Sequence, residues 1–500
     1  MSNVENLKPS GDSGVAFIQL RGAPYRRELQ TGEVIDCNVT ADSLMKVTNY
    51  RQQIYDRVGQ VEAHLQSLFT ESGFYTLDGK IKHGENLTFD ESFSLATFVC
   101  AALNRPLNDA ISKRIQALGS HDTHLLQATA LLSSMSAKEA YVGLTAEEIA
   151  GLVAATVHLD TLVRIPNARP TIAFGGMGGD KGYPLNGENT KLFSLSTLAS
   201  IALATDGPVH KHHSYPNTSK VAGQSAIEAF GARSDFHTQR SFENVLAESD
   251  LLMTSCHDTR TLHTLSHLLK GETINHVIGP LSFTLSADTP IQAMIGVNEK
   301  IHPERIIEAM IILDKKGFQK YRSGAVFCGT NLTSIRPDQL NDTPENAPLL
   351  TEHIRLDEVA PPPYTSVVAF CQDGQSMGTY MINPEDFYTP EELDQMSLSE
   401  LEIHNTTEDI IKANKQALAG QNYTRTRYLA MTIGLGLFTR YALTQKDALD
   451  SNSRTVNRTY LRACVKRGVE ILTSGAAVEK LQQYIEVTNN HAGNHHGNTK

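Results

Sequence analysis

The sequence predicts an α/β protein with a run of helices ahead of its alternating part. The first observation is alternation. Apolar Thr171-Ile172-Ala173-Phe174 leads to a small-residue helical run at 198–205, then to strand-like Val209-His210-Lys211-His212-His213-Ser214. Farther on, Gln292-Ala293-Met294-Ile295-Gly296-Val297 reads as a strand, 301–313 as a helix and Ala325-Val326-Phe327 as a strand. Strands separated by helices are the pattern of an α/β sheet. The second observation is that glycines and hydroxyls cluster where these segments change type. The third is helical spacing in the first part of the chain, as at Leu44, Val47, Tyr50, Ile54, Val58, Val61, Leu65 and Leu68.

Composition narrows the partners. A chain of 500 residues has room for two or three domains and a large core. A formal net charge of −11 argues against a nucleic-acid binder. The six cysteines (37, 100, 256, 328, 371 and 464) lack CxxC spacing, which predicts a reduced, cytoplasmic protein without a zinc site or disulfide framework. No apolar run has transmembrane length, so no membrane partner is expected.

In chain order, the polar segment 1–14 is predicted disordered and 15–20 is read as a short strand. Segment 41–69 is read as a long amphipathic helix, and 1–83 as an extension that packs or oligomerises. Thr88-Phe89-Asp90-Glu91-Ser92 has the form of an N-cap followed by acidic first-turn residues, ahead of helices near 91–103 and 124–135. A second capping-type start, Gly143-Leu144-Thr145-Ala146-Glu147-Glu148, opens a helix reaching about residue 162. Beyond the alternating part, 427–443 reads as a helix. The tail 489–500, with three histidines, is predicted disordered.

The chemistry concentrates at 174–231. Gly175-Gly176-Met177-Gly178-Gly179-Asp180 lets backbone N–H groups approach a polyanion. Ser194, Ser196 and Thr197 stand where a loop enters a helix, so hydroxyls and the positive dipole end point the same way. Lys211 adds a positive charge at the end of the next strand.

Taken in order, these pieces resemble the anthranilate phosphoribosyltransferases, part of a fold family shared with pyrimidine nucleoside phosphorylases. The family's Gly-Thr-Gly-Gly-Asp loop, Asn-Ile-Ser-Thr helix start and Lys-His-Gly-Asn-Arg loop match 176–180, 194–197 and 211–215. Thr273-Ile274-Asn275-His276-Val277-Ile278-Gly279-Pro280-Leu281 resembles the family's Thr-Ile-Phe-Asn-Leu-Leu-Gly-Pro-Leu. Leu356-Asp357-Glu358-Val359 followed by Pro384-Glu385-Asp386-Phe387 also matches in kind. The likeness spans about 84–485, interrupted by extra residues near 181–191 and by 329–355, both expected to be loop.

The resemblance implies a small all-helical domain at 84–165 and a larger α/β domain with a central mixed sheet at 166–488. It also implies transfer of phosphoribose from phosphoribosyl diphosphate to a small acceptor, with Mg²⁺ as cofactor, in a homodimer. By this likeness Gly176, Gly178, Gly179, Asp180, Ser194, Ser196, Thr197, Lys211 and Ser219 form the donor site, with Lys211 and Asp180 as its catalytic charges. Asp357, Glu358 and Ser196 are assigned to the metal, and His212, His213, Ser214 and His267 to the acceptor.

The departures fall mostly on the acceptor side. The Gly and Asn after Lys-His are here His213 and Ser214, and 262–272 lacks the arginine that grips the anthranilate carboxylate. Met177 replaces the loop threonine, His276 an asparagine, and Gly223 a phosphate-binding serine. A carboxylate acceptor without its bidentate arginine loses much of its recognition, so anthranilate is not the expected acceptor. Two other classes stay open: a phosphorylase that splits a nucleoside with phosphate, and a non-catalytic relative that binds a ligand or nucleic acid. The Asp357-Glu358 pair favours the transferase, because a diphosphate donor needs the metal.

Overall fold

A computed structural model describes residues 26–28, 34–36, 71–104, 121–161, 163–178, 181–185, 188–190, 193–214, 221–234, 236, 238–256, 262, 273–403 and 406–492. The segments 1–14, 15–20 and 41–69 of the sequence reading lie outside these, as do 179–180, 215–220 and 263–272. The chain divides into two compact units: Met1–Val163 with His257–Ile278, and Arg164–Cys256 with Gly279–Lys500.

The first unit carries an antiparallel pair, β1 (Arg26–Glu28) and β2 (Val34–Asp36). Its helices are α1 (Glu71–Lys82), α2 (Phe89–Asn104), α3 (His121–Tyr141) and α4 (Ala146–Ala155). The Thr145/Glu148 capping box is present, and helix α4 passes into one π turn, Thr156–Asp160, near the expected end. Helices α2 and α4 cross at Gly151, where a Cβ would lie 2.4 Å from the Phe89 carbonyl oxygen. Beside them Lys138 Nζ meets Glu148 Oε1 at 2.9 Å with both side chains fully buried. The Leu87 N–H also donates to that carboxylate, at 2.9 Å, so few of its oxygen lone pairs go unused. A pair so deeply desolvated fixes geometry more than it adds stability.

The second unit is built on a ten-stranded mixed sheet. Its strands are β3 (Thr171–Gly176), β6 (Val209–His213), β7 (Leu251–Ser255), β8 (Pro290–Gly296), β9 (Lys320–Thr330), β10 (Ile354–Leu356), β11 (Ser366–Gln372), β12 (Gln375–Ile382), β13 (Leu449–Asp450) and β14 (Thr455–Val456). The order is β13-β14-β12-β11-β9-β8-β3-β6-β7, with β10 paired to β9. Strands β9, β8, β3, β6 and β7 run parallel, and β10 and β11 lie antiparallel to β9. Residues in β6, β7 and most of β3 and β8 are buried, as strands covered on both faces require. In open α/β sheets the parallel strands aim their C-terminal ends at the ligand crevice. The glycine motif sits at such an end, whereas Lys211 lies in the middle of β6, paired with Phe174 of β3, and not at the strand end the sequence suggested.

Helix α5 (Leu195–Leu203) follows β3, and α6 (Gly223–Ala229) follows β6. Helices α7 (Pro303–Lys315), α8 (Thr407–Leu418), α9 (Tyr423–Leu437), α10 (Arg458–Thr473) and α11 (Ala476–His491) belong to the same unit, as does a helix at Gln239–Ser249 ahead of β7.

Three expectations need correction. The extra residues after Asp180 include a hairpin, β4 (Tyr183–Leu185) with β5 (Glu188–Thr190). The stretch 329–355 holds a 3₁₀ turn, Pro337–Leu340, a π turn, Leu349–His353, and the start of β10. Its Pro, Asn and Asp mark turns between short ordered pieces, not one long loop. At the C-terminus α11 runs to His491, and Asn489 donates from Nδ2 to the Gly231 carbonyl at 3.1 Å. Disorder from 489 is therefore revised for residues 489–492.

Candidate active site

Three neighbouring strands, β3, β8 and β9, bring Gly176, Gly296 and Gly329 to the same edge of the sheet, and the segment 356–359 lies across them. A Cβ on Gly296 would sit 1.6 Å from the Asp357 carbonyl oxygen, and one on Gly329 would sit 2.8 Å from that of Glu358. At Gly176 the hypothetical Cβ would be 2.7 Å from Asp357 Oδ2. The glycines are the floor on which the acidic pair rests, and only their missing side chains allow that approach.

The carboxylates then reach two phosphate-binding motifs of the sequence. Asp357 Oδ2 accepts from the Gly178 N–H at 3.0 Å, although 179 positions separate them. Glu358 Oε1 accepts from the Ser196 N–H in the first turn of α5 at 3.4 Å. Gly178 has φ +64°, the left-handed region that favours glycine. Lys211 Nζ donates to Ser196 Oγ at 3.1 Å, so strand β6 and helix α5 are tied together beside the pair. Burial pulls the pKa of the Lys211 ammonium down to about 8, while Glu358, Asp357 and Cys256 pull the other way. Thr197 is buried next to it, its hydroxyl 3.1 Å from where a Gly223 Cβ would stand.

Of the expected donor residues, the structure brings together Gly176, Gly178, Ser196, Thr197, Lys211, Asp357 and Glu358. Gly179, Asp180 and Ser219 lie outside the described residues. Ser194 is placed differently: its N–H donates to Asn414 Oδ1 at 3.0 Å, and its hydroxyl accepts from Asn414 Nδ2 at 3.2 Å. Its hydroxyl serves to fasten α5 to α8, which the spacing could not show.

Among the acceptor residues, His267 lies outside the described set. His212 is turned into the core, where Nε2 meets the Ser282 carbonyl at 2.9 Å and Nδ1 meets the Thr254 hydroxyl at 2.7 Å. Its ring lies parallel to that of Phe283, with centroids 6.3 Å apart. Both ring nitrogens are committed to the protein, so His212 is corrected from acceptor contact to a packing residue of β6. His213 is buried, and the Ser214 carbonyl accepts from the Gln224 N–H at 3.4 Å.

Asn298 is the residue the sequence reading missed. It is buried just past β8, donates from Nδ2 to the Gly178 carbonyl at 3.2 Å, and accepts the Lys300 N–H at 3.0 Å. Its signal was its place directly after Gly296-Val297. No motif marked it.

Two adjacent carboxylates of the hard-oxygen kind magnesium takes, Asp357 against the bare Gly176 and Glu358 at the Ser196 N–H, suit that ion. Among the described residues no group of three or more His, Cys, Asp or Glu could hold a metal alone. Magnesium often takes one or two carboxylates and completes its shell with water and substrate phosphate, so that finding is compatible.

No family model matches the chain. It is 27% identical over 263 residues to the anthranilate phosphoribosyltransferase of Methanococcus maripaludis, covering 52% of this chain and 68% of that one. The enzyme of that name from Methanobrevibacter smithii is 24% identical over 373 residues, covering 73% and 90%. Among solved structures, the Saccharomyces cerevisiae anthranilate phosphoribosyltransferase in complex with phosphoribosyl diphosphate and Mg superposes with TM-score 0.58 at 14% identity, covering 84% of this chain and 99% of that one. The Thermus thermophilus enzyme gives TM-score 0.55 at 17% identity, covering 83% and 99%. The solved structures share the fold of this chain, and the sequence relatives make it similar to phosphoribosyltransferases as a class. Within that class the likeness is to the anthranilate phosphoribosyltransferases, at identities of 27% and 24%.

Proposed function

We propose that the protein transfers phosphoribose from phosphoribosyl diphosphate to the nitrogen of a small acceptor other than anthranilate. One observation carries the donor half: Asp357 and Glu358 are hydrogen-bonded to the backbone of Gly178 and Ser196, with Lys211 on the Ser196 hydroxyl. In the reaction the acceptor nitrogen bonds to C1 of the ribose, the C1–O bond to diphosphate breaks, and the nitrogen gives up its proton. Negative charge grows on the diphosphate. Bound Mg²⁺, on Asp357, Glu358 and Ser196, would neutralise part of that charge. The chain's own contribution is Lys211 beside the acidic pair and the first turn of α5. Both are set in place before substrate arrives, which spares reorganisation during the reaction.

The acceptor half rests on chemistry missing from the sequence. Residues 262–272 contain no arginine, and His213 and Ser214 stand in place of the motif's Gly and Asn. Removing one member of a charged, bidentate pair costs about 2–5 kcal/mol, or about thirty-fold to several-thousand-fold in affinity.

Titration calorimetry with phosphoribosyl diphosphate, with and without Mg²⁺, tests the donor reading. Binding that requires the metal is expected. Asp357→Asn with Glu358→Gln should abolish the metal dependence while leaving the melting temperature nearly unchanged. Equal affinity with and without metal, or an unaffected double variant, would refute it. Loss of anthranilate fluorescence in steady state tests the acceptor. A kcat/KM of about 10⁴ M⁻¹s⁻¹ or above would overturn that half.

A further inference from the structure

The hairpin that follows the glycine loop grips the acidic pair's segment from both sides. Upstream of Asp357, Arg355 and Gly182 form a reciprocal bracket: the Arg355 Nε–H donates to the Gly182 carbonyl at 2.8 Å, and the Gly182 N–H donates to the Arg355 carbonyl at 3.1 Å. Lys181 reinforces it with a hydrogen bond from Nζ to the Thr351 carbonyl. Downstream, the Tyr183 ring stacks on Tyr364 with centroids 5.1 Å apart and planes 8° from parallel. The Tyr183 hydroxyl also donates to the Thr330 carbonyl at the end of β9, at 2.9 Å, and its side chain is fully buried. Three consecutive residues, 181–183, thus touch 351, 355, 364 and 330.

This matters because the segment between Arg355 and Tyr364 contains nothing but the acidic pair, its flanking residues and a proline run. The pair has no regular element of its own, since β10 stops at Leu356 and β11 starts at Ser366. Something outside must hold it over the glycine floor. We infer that Arg355 and Tyr183 are positioning residues for the donor site, acting through Asp357 and Gly178 and touching neither substrate nor metal. The stretches 181–190 and 329–355, which look like separate additions in the sequence, work as one buttress. The bracket lies two residues before Asp357 and four after Gly178, so it fixes both ends of the Gly178–Asp357 hydrogen bond. Positioning residues beyond the contacting groups commonly change affinity or activity ten-fold or more.

The inference rests on the donor reading, and the test separates the two. Hydrogen–deuterium exchange of the ligand-free full-length protein is compared between wild type and Arg355→Met, with Arg355→Lys as the conservative variant. In Arg355→Met, exchange at 176–178 and 182 is expected to speed up several-fold while the helices keep their protection. Arg355→Lys keeps a donor of similar reach and should recover most of it. Tyr183→Phe, which keeps the stack and loses the Thr330 contact, should give a smaller change of the same kind. Calorimetry with Mg²⁺ and phosphoribosyl diphosphate should then show about ten-fold weaker binding for Arg355→Met. Unchanged exchange at 176–178 and 182 overturns the inference, whether or not any ligand binds. Faster exchange with unchanged donor affinity overturns it too, because a buttress that does not serve the site is merely structural. If wild type itself binds no phosphoribosyl diphosphate, the donor reading fails, while the exchange result still decides whether the bracket positions the loop.

Discussion

Gly176 and Asn298 show how much of the site is set by single atoms. A methyl group on Gly176 would stand 2.7 Å from Asp357 Oδ2, closer than real Cβ contacts come, so either the strand end or the carboxylate must shift. Gly176→Ala should therefore weaken Mg²⁺-dependent donor binding by at least about ten-fold and cost about 1–3 kcal/mol of stability, as overpacking usually does. Asn298 acts on the same loop from the opposite side. Its amide satisfies the Gly178 carbonyl while its oxygen accepts the Lys300 N–H, so Asn298→Ala removes a partner from each of two backbone groups. That omission costs about 1–3 kcal/mol. Asn298→Asp should rescue the Lys300 contact and not the Gly178 one. Chemical denaturation together with calorimetry checks both: a variant of either position that matches wild type in stability and donor affinity would refute the account. The glycines were legible in the sequence, as a cluster at a strand end. Asn298 was not, because an isolated asparagine after a strand looks like any turn residue until the carbonyl it serves is known.

Elements are held by caps as much as by packing, and α7 offers a pH-dependent example. His302 caps that helix with Nδ1 accepting the Glu304 N–H at 3.2 Å, which requires Nδ1 to be unprotonated. Burial lowers its pKa, against Asp342 and Glu304 and the Leu340 carbonyl, which favour the charged form. The unfolded chain thus binds more protons than the folded one just below the ordinary value of about 6.5. Stability from this group is full above that pH and declines as pH falls below it, the direction linkage demands. His302→Asn keeps a capping acceptor and removes the titration, so its denaturation midpoint should lose less than wild type between pH 7 and about 5. His302→Ala should cost about 1 kcal/mol at pH 7. Parallel pH profiles for wild type and His302→Asn would show that the cap does not titrate. Helix starts such as Thr145 with Glu148 were readable because their partners lie within one turn. The Asp357–Gly178 contact joins positions 179 apart, and no local rule carries that distance. The hairpin β4–β5 was missed for the same reason: its buttress partners Arg355 and Tyr364 lie far along the chain.

At the scale of the whole molecule, the alternating segments and the ordered motifs made the α/β sheet and the family resemblance legible, since each is encoded in a short stretch. Chain pairing is encoded in surfaces, and there the sequence offered only the apolar stripe at 41–69, outside the described residues. The structure adds exposed apolar groups on the first unit: Tyr75 on α1 at 63% exposure, Leu126 and Tyr141 on α3 at 69% and 89%, and Val142 after it at 59%. Isolated exposed apolar residues are ordinary, and these four would cover only part of a standard interface of about 800 Å² per partner. Tyrosines are nonetheless among the side chains enriched in interfaces, where one end can be buried and the hydroxyl kept wet. We propose a homodimer through the first unit. Sedimentation velocity at micromolar concentration should find a species of about twice the chain's 54.8 kDa. Tyr141→Glu with Val142→Glu should shift it toward monomer, because two buried carboxylates without partners oppose association strongly. Far-ultraviolet circular dichroism should stay at the wild-type level in that variant, since both side chains already face solvent within one copy. A monomeric wild type at that concentration, or a double variant that pairs as tightly as wild type, would refute the proposal.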